Sequence, residues 1–201
     1  MTENGRSAAR SRTTKETSIE LAIDLDGSGR TQVSTGLPFY DHMLDQLGRH
    51  GGFDLSVIAK GDLHVDTHHT VEDVGILLGE TLKEALGDKA GIRRFASISL
   101  PLDEALVDVA LDLSGRPFLL YSVELPADSP ATLGSPPFDP QMVEHFWQSF
   151  AHASSTTLHI DLRRGRNAHH IVEASFKAVA RCLRDAVRVE GQGVPSTKGS
   201  L

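Results

Sequence analysis

The pair His-His occurs twice in this chain, at 68–69 and at 169–170, and each time it opens the string H-H-x-V-E. The two copies are HHTVEDVGILLGETLKEAL (68–86) and HHIVEASFKAVARCLRDAV (169–187). They stand about 101 residues apart in a chain of 201, so one unit is built twice. Each copy runs on with apolar residues at helical spacing. They are Val71, Val74, Leu78, Leu82 and Ala85 in the first, and Val172, Phe176, Val179, Leu183 and Val187 in the second.

A second matched pair lies upstream. FYDHMLDQLGRHGG (39–52) and VEHFWQSFAHAS (143–154) each place an acid before a histidine, Asp41-His42 and Glu144-His145, and continue with a helical pattern. Pro38 and Pro140 stand just ahead, where proline suits a first turn. Gly51-Gly52 supplies a left-handed helix end. Alternating runs at 55–66 and 156–166 predict strands between the helices, and 16–30 matches 103–116 as the start of each half. Each half therefore reads strand, strand, helix, strand, strand, helix. The seam falls near Gly87–Arg94, with units over 13–90 and 91–190 and a short tail over 191–201. Residues 1–12 are expected to be a loose tail. PADSPATLGSPPFDP (126–140) holds five of the nine prolines and reads as a surface loop.

Composition excludes several classes. With 39% hydrophobic residues the chain can bury a core. A net charge of −7 argues against a nucleic-acid surface, which needs a basic patch. The lone cysteine, Cys182, forms no internal disulfide and fits a reducing cytoplasm. No apolar run nears the roughly 20 residues of a membrane span, and the N-terminus lacks the apolar core of a secretion signal.

The histidines carry the chemistry. At 100° per residue, positions 68, 69 and 72 crowd one turn, yet neighbouring histidines diverge by about 100° and reach more naturally for different ions. His42, His68, His69, His145, His169 and His170, with Glu72 and Glu173, divide into two sites of three imidazoles and one carboxylate. That donor set suits Mn, Fe, Co, Ni or Zn, and the lack of cysteine argues against structural zinc. A lone histidine is more often a satisfied core or surface group. His50, His64, His152 and His159 are read that way, and the arginines at 163, 164 and 166 as a solvated turn. A dinuclear phosphate-ester hydrolase is the rival enzyme reading. Such a site bridges its metals with carboxylates, of which only two are present here. A ferritin-like storage cage is excluded by the strand content.

The segments FYDHMLDQLGRHGGFDL, GDLHVDTHHTVEDVGILLGE, VEHFWQSFAHAS, RNAHHIVEASFKA and PSTKG resemble the imidazoleglycerol-phosphate dehydratase family in its monofunctional form. The resemblance covers residues 16 to 199. It implies an α+β fold of two tandem repeats, each a four-stranded sheet with two helices on one face, of the ribosomal protein S5 domain 2-like type. It also implies a cytoplasmic homo-oligomer of 24 subunits built from trimers, with sites between subunits. The implied activity is that of a hydro-lyase of histidine biosynthesis. It converts D-erythro-imidazole-glycerol 3-phosphate to imidazole acetol phosphate and water by metal-assisted elimination through an imidazolate and a diazafulvene-like intermediate. The implied metal is Mn2+, two per subunit, on the eight ligands named above. Glu16 becomes the acid–base residue. Gln46, Arg94, Arg116, Lys177, Ser196, Thr197 and Lys198 join Glu16 in binding substrate, the phosphate above all.

Overall fold

In a computed structural model, which describes residues 5–199, the chain forms eight strands and four helices. The first half holds β1 (Ser7–Thr13), β2 (Thr17–Asp24), β3 (Thr31–Ser34), α1 (Pro38–Gly51), β4 (Asp54–Gly61) and α2 (His68–Leu86). The second holds β5 (Phe95–Leu102), β6 (Ala105–Asp112), β7 (Phe118–Ser122), α3 (Gln141–Ser154), β8 (Thr157–Arg164) and α4 (Ala168–Ala186). The sheets have the same order, β1-β2-β4-β3 and β5-β6-β8-β7. In each, only the last pair is parallel. The two tandem repeats, each of four strands and two helices, are those expected.

The order within a half differs from the sequence reading. Three strands precede the first helix and one lies between the helices. The alternation at 55–66 misleads because β4 ends at Gly61. Asp62 then accepts the N–H of Val65 in a turn (2.7 Å), leaving Val65 exposed. β3 is only four residues long. The loose-tail expectation also fails from Ser7 onward. SAARSRT is β1, an edge strand paired antiparallel with β2, and it lacks apolar alternation because the face it turns to α2 carries Arg10 and Arg12, which pair with Glu84 and Asp73 of that helix. Residues 1–4, and residues 200–201 of the C-terminal tail, lie outside those described.

The helices form the middle of the molecule. α2 lies on β1 and β2 and packs against α3, while α4 lies on β5 and β6 and packs against α1. Inward residues of the strands, such as Ile19, Leu21 and Ile23 of β2, join a single apolar core that spans both halves. Phe146 and Trp147 of α3 meet Phe176 of α4 there, and Phe150 stacks on Phe146. Gly75 and Gly79, one turn apart on α2, face α3 so closely that a Cβ on Gly79 would stand 2.7 Å from the Phe150 carbonyl oxygen. α1 closes with Gly52 in the left-handed conformation, as expected. The proline-rich loop is not wholly superficial. It buries Leu133 and Phe138, and Phe138 stacks on Tyr40 of α1.

Candidate metal centres

The first turns of α2 and α4 present the His-His pairs because the preceding residues cap them. Asp66 accepts the His68 N–H (2.8 Å), and Asn167 accepts the His169 N–H (2.9 Å) and the His170 N–H (3.4 Å). The helix pairing then crosses the halves. α4 meets α1, so His169 and Glu173 face His42. α2 meets α3, so His68 and Glu72 face His145. In each trio one ligand atom per residue lies within 4.8 Å of the others.

The atoms that converge are Nε2 and carboxylate oxygen. His169 Nε2 is 2.9 Å and His42 Nε2 3.4 Å from the same Glu173 oxygen. His68 Nε2 and His145 Nε2 stand 3.9 and 3.7 Å from the two Glu72 oxygens. His145 Nε2 is buried with no hydrogen-bond partner among the described residues. A buried polar atom without a partner is costly, and an ion at this trio would satisfy it. Burial pushes the Glu173 carboxyl up, but hydrogen bonds from Lys177 (2.5 Å) and His169 outweigh it and hold it below its usual range.

The second histidine of each pair turns away, so each trio holds two imidazoles rather than the three expected. Neighbours on a helix diverge by about 100°, and the ring pairs His68–His69 and His169–His170 are crossed at 74° and 86°. His69 Nδ1 donates to Asp62 (3.1 Å) and its Nε2 is 3.7 Å from Glu16. His170 Nδ1 donates to Glu104 (2.8 Å) and its Nε2 is 3.9 Å from Asp103. A carboxylate on Nδ1 fixes the tautomer that leaves Nε2 free to ligate. The Asp62 hydrogen bond raises the His69 pKa, and the Glu104 bond raises that of His170. In return the His170 hydrogen bond, with two backbone N–H groups, lowers Glu104 to about 2. Asp62 and Glu104 escaped the sequence reading. One ends a strand and the other sits in a hairpin turn, so the repeat does not match them.

The cationic residues fall into two places. Arg94, Arg116, Ser196, Thr197 and Lys198, with Pro195, line one hollow of about 670 Å³. Arg94 anchors it, bonded to both Asp112 oxygens (2.7 and 3.0 Å) and to the Pro195 carbonyl (2.8 Å). Lys177 and Gln46 are elsewhere. Lys177 pairs with Glu173, and Gln46 lies 3.4 Å from His42 and 3.1 Å from His50. Arg94 N–H bonds the Ala186 carbonyl at the far end of α4 from His169. His169 and Ala186 are 17 residues apart on α4, which makes that separation about 26 Å at about 1.5 Å per residue.

The chain is similar to known proteins over nearly all of its length. A family model described as imidazoleglycerol-phosphate dehydratase matches residues 35–183. The protein of that name from Acidothermus cellulolyticus is 55% identical over 203 residues, covering 98% of this chain and 94% of its own. That of Methanopyrus kandleri is 53% identical over 196 residues, covering 98% and 96%. The crystal structure of the dehydratase from Staphylococcus aureus superposes with a TM-score of 0.80 at 35% identity, covering 91% of this chain and 99% of that one. The Pyrococcus furiosus structure, in complex with (S)-C348, gives 0.80 at 37% identity, covering 96% and 100%. With a family model spanning most of its length and relatives above half identity across nearly all of it, the chain belongs to the imidazoleglycerol-phosphate dehydratase family.

Proposed function

We propose that this chain dehydrates D-erythro-imidazole-glycerol 3-phosphate to imidazole acetol phosphate in histidine biosynthesis. The observation that carries the reading is the pair of Nε2–carboxylate trios, His42/His169/Glu173 and His68/Glu72/His145, each built across the two halves of a family member. We assign each a divalent transition ion, manganese, two per chain. The donor set of imidazole and carboxylate fits such an ion, and the partnerless His145 Nε2 supports it. His69 and His170, each held at Nδ1 by a carboxylate, complete the sets of neighbouring subunits through Nε2.

A bound ion supplies Lewis acidity that draws electron density from the imidazole ring of the substrate. The chain's own groups do the rest. The proton to be lost is carbon-bound with no adjacent carbonyl, so a base must be held where that proton points. Glu16, with its carboxylate at the His69 Nε2, takes that part: it passes the proton given up by the substrate ring to the hydroxyl next to the ring, which leaves as water, and then accepts the proton of the neighbouring carbon, giving an enol that tautomerises to the ketone. Arg94, Arg116, Ser196, Thr197 and Lys198 hold the phosphate. Gln46 and Lys177, beside a trio, serve the end of the substrate nearer the metal.

The phosphate hollow lies about a helix length from the trio on α4, farther than one imidazole and three carbons reach. One chain therefore cannot surround its substrate, and subunits share each site. We assign a 24-subunit assembly built from trimers, acting in the cytoplasm. Among the described residues no helix is long and apolar enough to cross a membrane. The test is elemental analysis with a dehydration assay before and after chelation. About two ions per chain are expected, with activity lost on stripping and restored by manganese. Full turnover by stripped, folded protein, or release of inorganic phosphate from a generic phosphomonoester, overturns the reading.

A further inference from the structure

Glu16 stands at the tip of the β1–β2 hairpin with half its side chain exposed, so its aim depends on what its neighbours hold. Thr14 Oγ1 accepts the N–H of Glu16 (3.1 Å) and of Thr17 (3.0 Å), closing the turn on itself. Thr17 Oγ1 donates to one oxygen of Asp73, and Arg12 Nε donates to the other at 2.8 Å. Asp73 is only 7% exposed and sits on α2 beside Glu72, one turn beyond His69. Gly61, the register partner of Thr17, lies against α2 so closely that a Cβ there would stand 1.9 Å from the Thr70 hydroxyl oxygen. On the other side, the Glu16 carbonyl accepts the Asp62 N–H (3.1 Å), and Asp62 holds His69 Nδ1. The peptide of Glu16 is thus tied to α2 at both ends.

The second half lacks this device. β2 and β6 align with Asp24 on Asp112, each opposite the first residue of the next strand, Asp54 or Thr157. That places Glu104 at the position of Glu16, Ala105 at Thr17 and, across the strand pair, Leu100 at Arg12. On α4 the place of Asp73 is taken by Ala174. Where Arg, Thr and Asp have become Leu, Ala and Ala, the glutamate has folded onto its helix. Glu104 accepts the N–H groups of Arg166 and Asn167 and supports His170 from behind. Only with the polar trio present does the glutamate stand at an Nε2.

We propose that Asp73 is a positioning residue which, through Thr17 and Arg12, fixes the hairpin tip so that the Glu16 carboxylate is aimed into the reaction site. The inference rests on the assignment of Glu16 as the proton-transferring group. A displacement of an ångström at such a group costs about 100-fold.

The test uses the manganese-loaded assembled protein at high enzyme concentration with substrate still in excess, so that residual steady-state turnover is measurable. Asp73→Asn and Thr17→Val should each lower kcat about 10- to 100-fold, with metal content and KM unchanged. Thr17→Ser should restore kcat. On a Glu16→Gln background, Asp73→Asn should cost less than about twofold more, because it acts only through Glu16. Thr17→Val removes a single hydroxyl and keeps the test alive if Asp73→Asn fails to fold. Glu16→Gln inactive with Asp73→Asn and Thr17→Val near full kcat overturns the positioning alone. A full further loss on the Glu16→Gln background does the same. Full turnover by Glu16→Gln overturns both this inference and the acid–base assignment beneath it.

Discussion

Replacing Gly79 by alanine puts one methyl group into the seam between α2 and α3, and two effects of opposite sign compete. Alanine is the better helix former by about 1 kcal/mol. Against that, the new Cβ would stand 2.7 Å from Ala153 Cβ, 2.7 Å from the Phe150 carbonyl oxygen and 2.8 Å from the Ser154 nitrogen. Ordinary contact begins at 3.4 Å, so the seam must open by 3.4 − 2.7, about 0.7 Å. Two of the three obstacles are main chain, which no rotamer change can move. α3 would have to shift as a body, although Phe150 and Ala151 are wholly buried on its packed side. Overpacking of this kind costs about 1–3 kcal/mol. At the upper end of that range, and after the propensity gain, Gly79→Ala should be destabilised by about 1–2 kcal/mol. Urea unfolding of metal-free protein at fixed chain concentration reads this as a lowered midpoint with an unchanged slope. A midpoint equal to or above that of the parent would show that the seam is loose and the close approach of α2 and α3 is not a constraint.

Other outcomes follow from the same geometry. His145→Ala should lose one of two bound ions and His42→Ala the other, counted by elemental analysis. Unchanged metal in both would require a different ligand set. Lys198→Ala should raise KM for the phosphorylated substrate more than it lowers kcat, and an unchanged KM would remove Lys198 from the phosphate hollow. Burial, with a smaller contribution from Asp185, pushes the Cys182 thiol from 9.0 up to about 12. The neutral thiol is favoured in the native state, so its stability contribution is complete below pH 9 and is lost as pH climbs from 9 toward 12. Cys182→Ala should flatten that alkaline decline, and native protein at pH 8 should resist thiol reagents that label the unfolded chain at once.

Much of the fold is legible because duplication prints each helix twice, and a helix-period apolar face that recurs at a fixed offset is hard to mistake. What periodicity cannot carry is the hairpin edge strand β1, whose polar run SAARSRT is held by its backbone ladder to β2 and by ion pairs of Arg10 and Arg12 to α2, or the turn after Gly61, which alternates like a strand. The candidate site divides along the same line. The Nε2 donors recur in both halves because each trio needs the same arrangement at the same helix start. The groups behind them do not recur. A carboxylate can reach an Nδ1 from any nearby turn, and Asp62 comes from a strand end in one half while Glu104 comes from a hairpin in the other. The residues proposed to hold phosphate are legible only through family resemblance. Arg94 and Lys198 are drawn together by Asp112 and Pro195 at one end of α4, while His169 sits at the other. Groups that lie a helix length apart in one chain leave no spacing for periodicity to find, because they come from opposite ends of α4. The repeat thus places the two histidine–carboxylate trios, and its broken places, Arg12, Thr17 and Asp73 against Leu100, Ala105 and Ala174, separate the glutamate that stands at an Nε2 from the one that folds back onto an Nδ1.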